Sequence, residues 1–288
     1  MNKKWLILLA LIIISNISCK KDPVSSNPAT VTFKDANFET LIRDAINKPT
    51  EDIVSTDLLT ITKLVGEDSN ISDLTGIEHC TNLDTLKLMN NQITDISALS
   101  VLTKLLYLDL DNNQITNLST LGSLTNLTKL WLGDNQIVDI STLSSLTMLQ
   151  TLHVDFNKIT NISALSGLTN LTHLSLWDNQ IIDISALSAL INLDYLDLED
   201  NQTADITALS GITNLVLLWL NGNQISDISP LVQNNGIDDG DNIEMKDNPL
   251  SDTSINTYIP QLEARGVTVI YGNGKVSSST NNKSDNKK

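Results

Sequence analysis

An asparagine recurs at every 22nd position through most of the chain. It sits in the pattern L-x-L-x-x-N-x-I-x-D-I-x-x-L, with small variations between copies. One such unit cannot bury its own apolar side, so the copies must stack, and the period predicts a solenoid. A weaker copy with Ser69 in the asparagine column extends the array to eight coils over residues 61–232. The repeated residues are Asn91, Asn113, Asn135, Asn157, Asn179, Asn201 and Asn223.

The other columns of the repeat also have predicted roles. Leucine and isoleucine fill seven places per coil and form a narrow aliphatic core. Cys80 stands in one of these columns, which predicts a buried, unreactive thiol. A further column holds short polar acceptors suited to capping a helical turn. A calcium site is the alternative, and capping is favoured because asparagine replaces aspartate twice. This column is Asp73, Asp95, Asn117, Asp139, Asn161, Asp183, Asp205 and Asp227.

These motifs resemble the 22-residue leucine-rich repeats of bacterial internalins. The resemblance implies an α/β solenoid, curved, with parallel strands on its concave face and 3-10 or irregular turns on its convex face. It also implies that the repeated asparagines use their buried amides to bond backbone groups of neighbouring coils. An unsatisfied amide there would cost about 1–3 kcal/mol. By analogy alone, the resemblance implies adhesion or receptor binding.

The segments that flank the array depart from the repeat. Residues 31–60 form the predicted N-terminal cap, whose apolar residues follow helical spacing and resemble the helical cap of internalin-like proteins. Residues 233–275 form the predicted C-terminal cap, where Asn248 repeats the motif after a three-residue insertion. A helix over 252–264 and a strand over 267–271 are expected there. Segments 19–30 and 276–288 are rich in Ser, Asn and Lys, which predicts a flexible tether and a disordered tail.

The N-terminus predicts export. In residues 1–18, two lysines precede an apolar run of ten residues, which is typical of a signal peptide and too short to span a bilayer. The following segment resembles a bacterial lipoprotein cleavage site, although Asn16 stands where that pattern prefers leucine. The resemblance implies lipidation of Cys19 and a place in the cell envelope or on the cell surface. Ordinary signal cleavage is the alternative.

Charge and composition exclude several classes of function. The chain carries 18 Lys and Arg against 34 Asp and Glu, a net charge of −16, which disfavours nucleic acid as a partner. It has two cysteines and no cysteine–histidine spacing typical of zinc. No cofactor and no metal site are therefore predicted, and contact with a membrane is expected only through the lipid anchor.

The strongest candidate site is the concave side of the predicted sheet, called the open face below. In each x-L-x-L-x strand the leucines point inward, so the three x side chains project from this face. All Trp and Tyr residues of the array occupy such positions, interleaved with carboxylates. The candidate ligand-binding residues are Tyr107, Asp109, Trp131, His153, Asp155, His173, Ser175, Trp177, Tyr195, Asp197 and Trp219.

A monomer that binds a protein ligand on the open face is the predicted function, with an extended glycan as another ligand class. The alternatives are a structural envelope scaffold and a glycan-active enzyme. His153, Ser175 and Asp197 stand side by side, but a catalytic triad needs histidine in the middle. Carboxylate pairs on a solvated face are expected to keep ordinary pKa values. No catalytic residue is therefore predicted.

Overall fold

A computed structural model describes residues 28–272 and the backbone of residues 275–277. The predicted signal peptide, Cys19 and most of the predicted tether lie outside these residues. Within the described residues, the helices are all too short or too polar to cross a bilayer.

The described chain forms one eleven-stranded sheet in which the strands follow their order in the sequence. Strands β1 to β10 are parallel, and β11 runs antiparallel to β10. The central leucine of each repeat strand lies opposite that of the next, as Leu130 lies opposite Leu152. The predicted repeat solenoid is confirmed. Strands β1 to β11 are Lys63–Val65, Thr85–Lys87, Tyr107–Asp109, Lys129–Trp131, Thr151–His153, His173–Ser175, Tyr195–Asp197, Leu217–Trp219, Asn242–Met245, Thr268–Tyr271 and Lys275–Ser277.

Short 3-10 helices connect the strands on the side opposite the open face. The Asp/Asn column accepts a hydrogen bond from the backbone N–H two residues later, as Asp139 does from Ser141 at 2.8 Å. Asn117 makes the same bond to Ser119 at 2.8 Å, so the capping role needs an acceptor and not a charge, as predicted. The 3-10 helices are Asp57–Thr60, Ile77–His79, Ser97–Val101, Leu121–Ser123, Ser141–Ser145, Ser163–Gly167, Ser185–Ala189 and Thr207–Gly211.

The core is aliphatic along the whole array. The inward leucine and isoleucine columns are buried from coil to coil, and Cys80 is buried with them. Burial raises the pKa of the Cys80 thiol to about 12, so the thiol stays protonated at neutral pH and unreactive.

Each repeated asparagine binds the backbone of two coils. Asn157 accepts the N–H of Ile137 at 2.9 Å through Oδ1. Its Nδ2 donates to the carbonyls of Leu132, Val154 and Asp155 at 3.0, 3.1 and 2.9 Å. The same set recurs in the other coils, and it satisfies backbone groups that the strand-to-turn bend leaves without a partner. The predicted buried amide ladder is confirmed.

A second amide ladder runs along the turns and was not predicted. The asparagine of a T-N-L motif donates to a carbonyl 23 residues earlier, as Asn126 does to Thr103 at 2.8 Å and Asn170 to Thr147 at 2.8 Å. These side chains are exposed, and Lys104 and Met148 replace the asparagine in two coils. The array therefore has one buried and one peripheral ladder of side-chain bonds.

The N-terminal cap is built around helix α1, Ala36–Ile46. Asp35 caps it by accepting the N–H groups of Asn37 and Phe38 at 2.9 and 3.0 Å. Its other oxygen accepts the N–H and hydroxyl of Ser72 at 2.7 and 2.8 Å. Partial burial raises the pKa of Asp35, but these bonds outweigh it and hold the pKa below its usual range. One carboxylate thus joins the cap helix to the first coil.

The C-terminal cap contains helix α2, Ser229–Gln233, and helix α3, Ile259–Glu263. The helix predicted over 252–264 is interrupted by a π turn, Ser254–Tyr258. Pro260 has no N–H to donate to the carbonyl four residues earlier, so the regular α-helical ladder cannot run through this point. Residues 276 and 277, assigned above to a disordered tail, belong to strand β11.

Candidate functional site

The aromatic side chains of the open face form two rows across neighbouring strands. In the first row, the Tyr107 and Trp131 rings have centroids 4.4 Å apart, and Trp131 lies 5.6 Å from His153. In the second row, His173 stacks beside Tyr195 at 6.0 Å, and Tyr195 meets Trp219 edge-on at 5.2 Å. All of these side chains are half-buried except His173, which is exposed. Their ring contacts hold large flat surfaces in fixed positions before any partner binds.

Between the rows lies a third aromatic contact that the sequence analysis missed. The Phe156 ring packs against Trp177 with centroids 4.4 Å apart. The Trp177 indole N–H donates to Asp200 at 3.0 Å. Trp177 is therefore half-buried rather than fully solvated, and its neighbour Phe156 is 40% exposed.

Phe156 has an unusual backbone conformation. Its φ is 48°, in the left-handed region, which costs a residue with a Cβ about 1–2 kcal/mol. Asparagine and aspartate tolerate this region better, because their side chains bond locally. A phenylalanine in this column was the sequence signal that could have revealed this aromatic contact. The same position in the other seven coils holds Asp68, Asn90, Asn112, Asp134, Asp178, Asp200 and Gly222.

Three of the predicted ligand-binding residues are buried beneath the rings. Asp109 is 7% exposed, and Ser175 and Asp197 are each 3% exposed. Oδ1 of Asp109 accepts the N–H of Asp111 at 3.3 Å, and Oδ1 of Asp197 accepts the N–H of Glu199 at 2.9 Å. These side chains stand in the middle column of the face, where neighbouring aromatic residues cover them. They form the floor of the open face, and the rings form its surface.

The expectation of ordinary carboxylate pKa values on this face is wrong. Burial raises the pKa of Asp111 and of Asp197 to about 7. Burial also raises the pKa values of Asp109 and Glu199. The cause is burial within the face, which removes water from carboxylates that the strand pattern alone places in solvent. The face is therefore rich in carboxylates whose negative charge is poorly solvated.

Asp155 lies at the centre of the face. It accepts the hydroxyl of Ser175 and the N–H of Trp177, the latter at 3.1 Å. Nδ1 of His153 is 3.8 Å from its other oxygen. Burial raises the pKa of Asp155 and lowers that of His153. The carboxylate stands between histidine and serine, so His153 cannot take a proton from Ser175 as a triad base would.

Residues 28–272 contain no group of three or more His, Cys, Asp or Glu side chains that could hold a metal ion. A groove of about 620 Å³ lies between two convex turns and is lined by Ile182, Ala204 and Ala208 among others. It is on the opposite side from the aromatic rows.

The fold and the repeat columns have clear relatives among known proteins. The family described as Leucine Rich repeats (2 copies) matches residues 103–146, 147–189 and 191–233. Among solved structures, internalin C2 of Listeria monocytogenes is 37% identical over 72% of this chain and 95% of its own, with a TM-score of 0.69. An internalin F structure from the same organism is 33% identical, with 86% of this chain and 79% of that one covered and a TM-score of 0.68.

A leucine-rich-repeat protein of Leptospira interrogans is 25% identical, with 69% of this chain and 51% of that one covered and a TM-score of 0.63. No curated protein matches the sequence. Both Listeria structures are more than 30% identical to this chain and are covered over more than three quarters of their own length. The chain therefore belongs to the internalin-like leucine-rich-repeat proteins.

Proposed function

We propose that this protein binds a protein ligand on the open face of its repeat array, without catalysis. The observation that supports the proposal is the placement of every tryptophan and tyrosine of the array on that face, each in contact with another aromatic ring. Tryptophan and tyrosine dominate the binding energy of protein interfaces when they occupy a desolvated centre. A solenoid gains little stability by leaving such rings half-exposed.

The dimensions of the face favour an extended ligand. Eight strands about 4.8 Å apart give a face roughly 38 Å long. The aromatic groups run from β3 to β8, so a partner that contacts all of them must cover most of that length. A small metabolite would touch only one group. An extended glycan remains the second ligand class.

The Phe156 backbone gives a test that separates binding from folding. Phe156→Asn introduces the residue type found in two other coils at this column, relieves the left-handed strain and removes one ring. The thermal midpoint is expected to stay within about 2 °C of wild type or to rise, because a relieved strain of about 1–2 kcal/mol offsets a lost ring contact of about 1 kcal/mol. Capture of the partner from a cell extract is expected to fall at least fivefold.

The control is Ile182→Ala, which removes an exposed apolar side chain from the opposite side of the array. It is expected to leave capture unchanged. Capture that is equal for wild type and Phe156→Asn would contradict binding by the open face. Capture that survives protease treatment of the extract would show that the ligand is a glycan and not a protein.

We further propose that the protein is exported, held in the cell envelope or on the cell surface by a lipid on Cys19, and active there as a monomer in adhesion or recognition. The short apolar run and the cysteine that follows it support this anchor. Cys19→Ser is expected to move the protein from the membrane fraction to the soluble fraction and to abolish labelling with palmitate. Membrane association and labelling equal to wild type would rule the anchor out.

A further inference from the structure

The open face contains two copies of one arrangement, four coils apart. Each copy is an aromatic–acidic triplet, with tyrosine and aspartate on one strand and tryptophan on the next. The first triplet is Tyr107, Asp109 and Trp131. The second is Tyr195, Asp197 and Trp219. In both, the aspartate lies opposite the tryptophan in the sheet register, and the tyrosine and tryptophan rings are in contact.

The two triplets also agree in finer detail. Both aspartates are buried, and each uses Oδ1 to accept the N–H two residues later. A second acidic residue follows each aspartate on the same face, Asp111 in the first copy and Glu199 in the second. The residue types, strand register and carboxylate bonds are therefore repeated, whereas the ring planes meet at 37° in the first triplet and at 76° in the second.

A lysine of the chain itself occupies the first triplet. The Lys87 ammonium lies 4.8 Å from the centroid of the Tyr107 ring. Lys87 is also the residue opposite Asp109 in the preceding strand. An ammonium over a ring face gains from cation–π attraction, and the Asp109 carboxylate on the adjacent strand adds a longer-range charge attraction. The first triplet is thus a cation site whose cation comes from the neighbouring coil.

The second triplet has a different residue at the equivalent place. Ser175 lies opposite Asp197, where the first copy has Lys87 opposite Asp109. Its hydroxyl bonds Asp155 and brings no positive charge. Within residues 28–272, Lys87 over Tyr107 is the one lysine or arginine seen over an aromatic ring. The charged groups acting most strongly on Asp197 are Glu199 and Asp155, both acidic, and Lys246 in the following coil is paired with Glu244 at 2.7 Å.

We propose that the second triplet binds a lysine or arginine side chain of the protein ligand, over Tyr195 and beside Asp197, in the manner of Lys87 in the first triplet. This inference rests on the proposed function and names the chemistry of the partner. His173, which is exposed, stacks on the Tyr195 ring with centroids 6.0 Å apart and ring planes 20° apart, so it shares this site with the incoming side chain. The array carries 19 Asp and Glu against five Lys and no Arg, so a basic segment is also attracted to it at long range.

Three tryptophans allow this to be tested site by site. The chain without its predicted signal peptide contains Trp131, Trp177 and Trp219, one in each aromatic group. Their indole N–H signals in an NMR spectrum therefore report on the first triplet, the central pair and the second triplet separately. The probe is the capped pentapeptide Gly-Ser-Arg-Ser-Gly. Its matched control replaces arginine with citrulline, which has the same shape without the charge.

The arginine peptide is expected to shift the Trp219 signal and to leave Trp131 unmoved, and the citrulline peptide to shift neither. Lys87→Ser removes the internal cation, so the Trp131 signal is expected to respond as well. Ser175→Lys supplies an internal cation to the second triplet and is expected to abolish the Trp219 response. Asp197→Asn, which keeps the shape of the side chain, is expected to weaken the response at least about tenfold.

The proposal would be overturned if the arginine peptide did not shift the Trp219 signal, or if the citrulline peptide shifted it equally. An undiminished response in Asp197→Asn would do the same, provided that the Trp131 and Trp177 signals show an intact fold. Failure here is distinguishable from failure of the proposed function. If Phe156→Asn lowers partner capture while the arginine peptide does not shift the Trp219 signal, the open face binds a protein, but the second triplet does not bind a lysine or arginine side chain of that protein.

Discussion

Replacement of Asn157 by alanine is expected to lower the free energy of unfolding by at least about 3 kcal/mol, since each buried backbone group left without a partner costs about 1–3 kcal/mol. The change removes four hydrogen bonds at once, and it leaves buried backbone groups of Leu132, Ile137 and Val154 short of a partner. Asn157 lies in the middle of the array, where every coil is stabilised by both neighbours. Urea-induced unfolding, followed by circular dichroism, measures the change.

The matched control is Asn112→Ala, which removes the same side chain from an adjacent column. Asn112 is exposed, and its amide donates to the side chain of Asn90 at 2.7 Å. Its φ of 49° favours asparagine over alanine, so a loss of about 1 kcal/mol is expected. Equal losses for the two variants would contradict the assignment of the Asn157 column as the buried ladder.

The fold was predictable from the sequence because most columns of the repeat keep the same role from coil to coil. The Asn157 column bonds backbone in each copy, and the Asp139 column caps a turn in each copy. Comparison of the same position in eight copies distinguishes these shared roles from features of single residues. The same logic predicts the open face as the candidate binding surface, from the position of its aromatic residues.

The interior of the site was not predictable in this way, because it depends on contacts between unlike residues of neighbouring coils. Asp197 is buried by the rings around it, and the repeat period does not predict the orientation of those rings. Phe156 was missed because it lies outside the three x positions of the strand. The Asn and Asp residues in this column indicate a left-handed backbone conformation, but these residue types alone do not establish it.

The repeat pattern does not predict how the two caps pack against the ends of the array. In the first coil, Gly66 stands in a core leucine column, and a Cβ there would meet the end of the Leu41 side chain of helix α1. In the C-terminal cap, a Cβ on Gly236 would collide with the Thr213 carbonyl. Both glycines mark close approaches between a cap and the array. Neither approach can be read from a sequence that contains each cap only once.

The second large effect is expected for Trp177→Ala. The side chain packs against Phe156 and bonds Asp200, so the variant is expected to lose about 1 kcal/mol of stability while the array remains folded. Truncation of a central aromatic residue of an interface typically costs about 2 kcal/mol or more of binding free energy. Since about 1.4 kcal/mol corresponds to a factor of ten, binding of the partner is expected to weaken at least roughly 30-fold.

The most direct test of open-face recognition is therefore the dissociation constant of the captured partner, measured by titration against wild type, Trp177→Ala and Ile182→Ala. We expect a value at least roughly 30-fold higher for Trp177→Ala and an unchanged value for Ile182→Ala, which alters only the opposite side. An unchanged dissociation constant for a folded Trp177→Ala variant, or an increased one for Ile182→Ala alone, would contradict the open face as the binding surface.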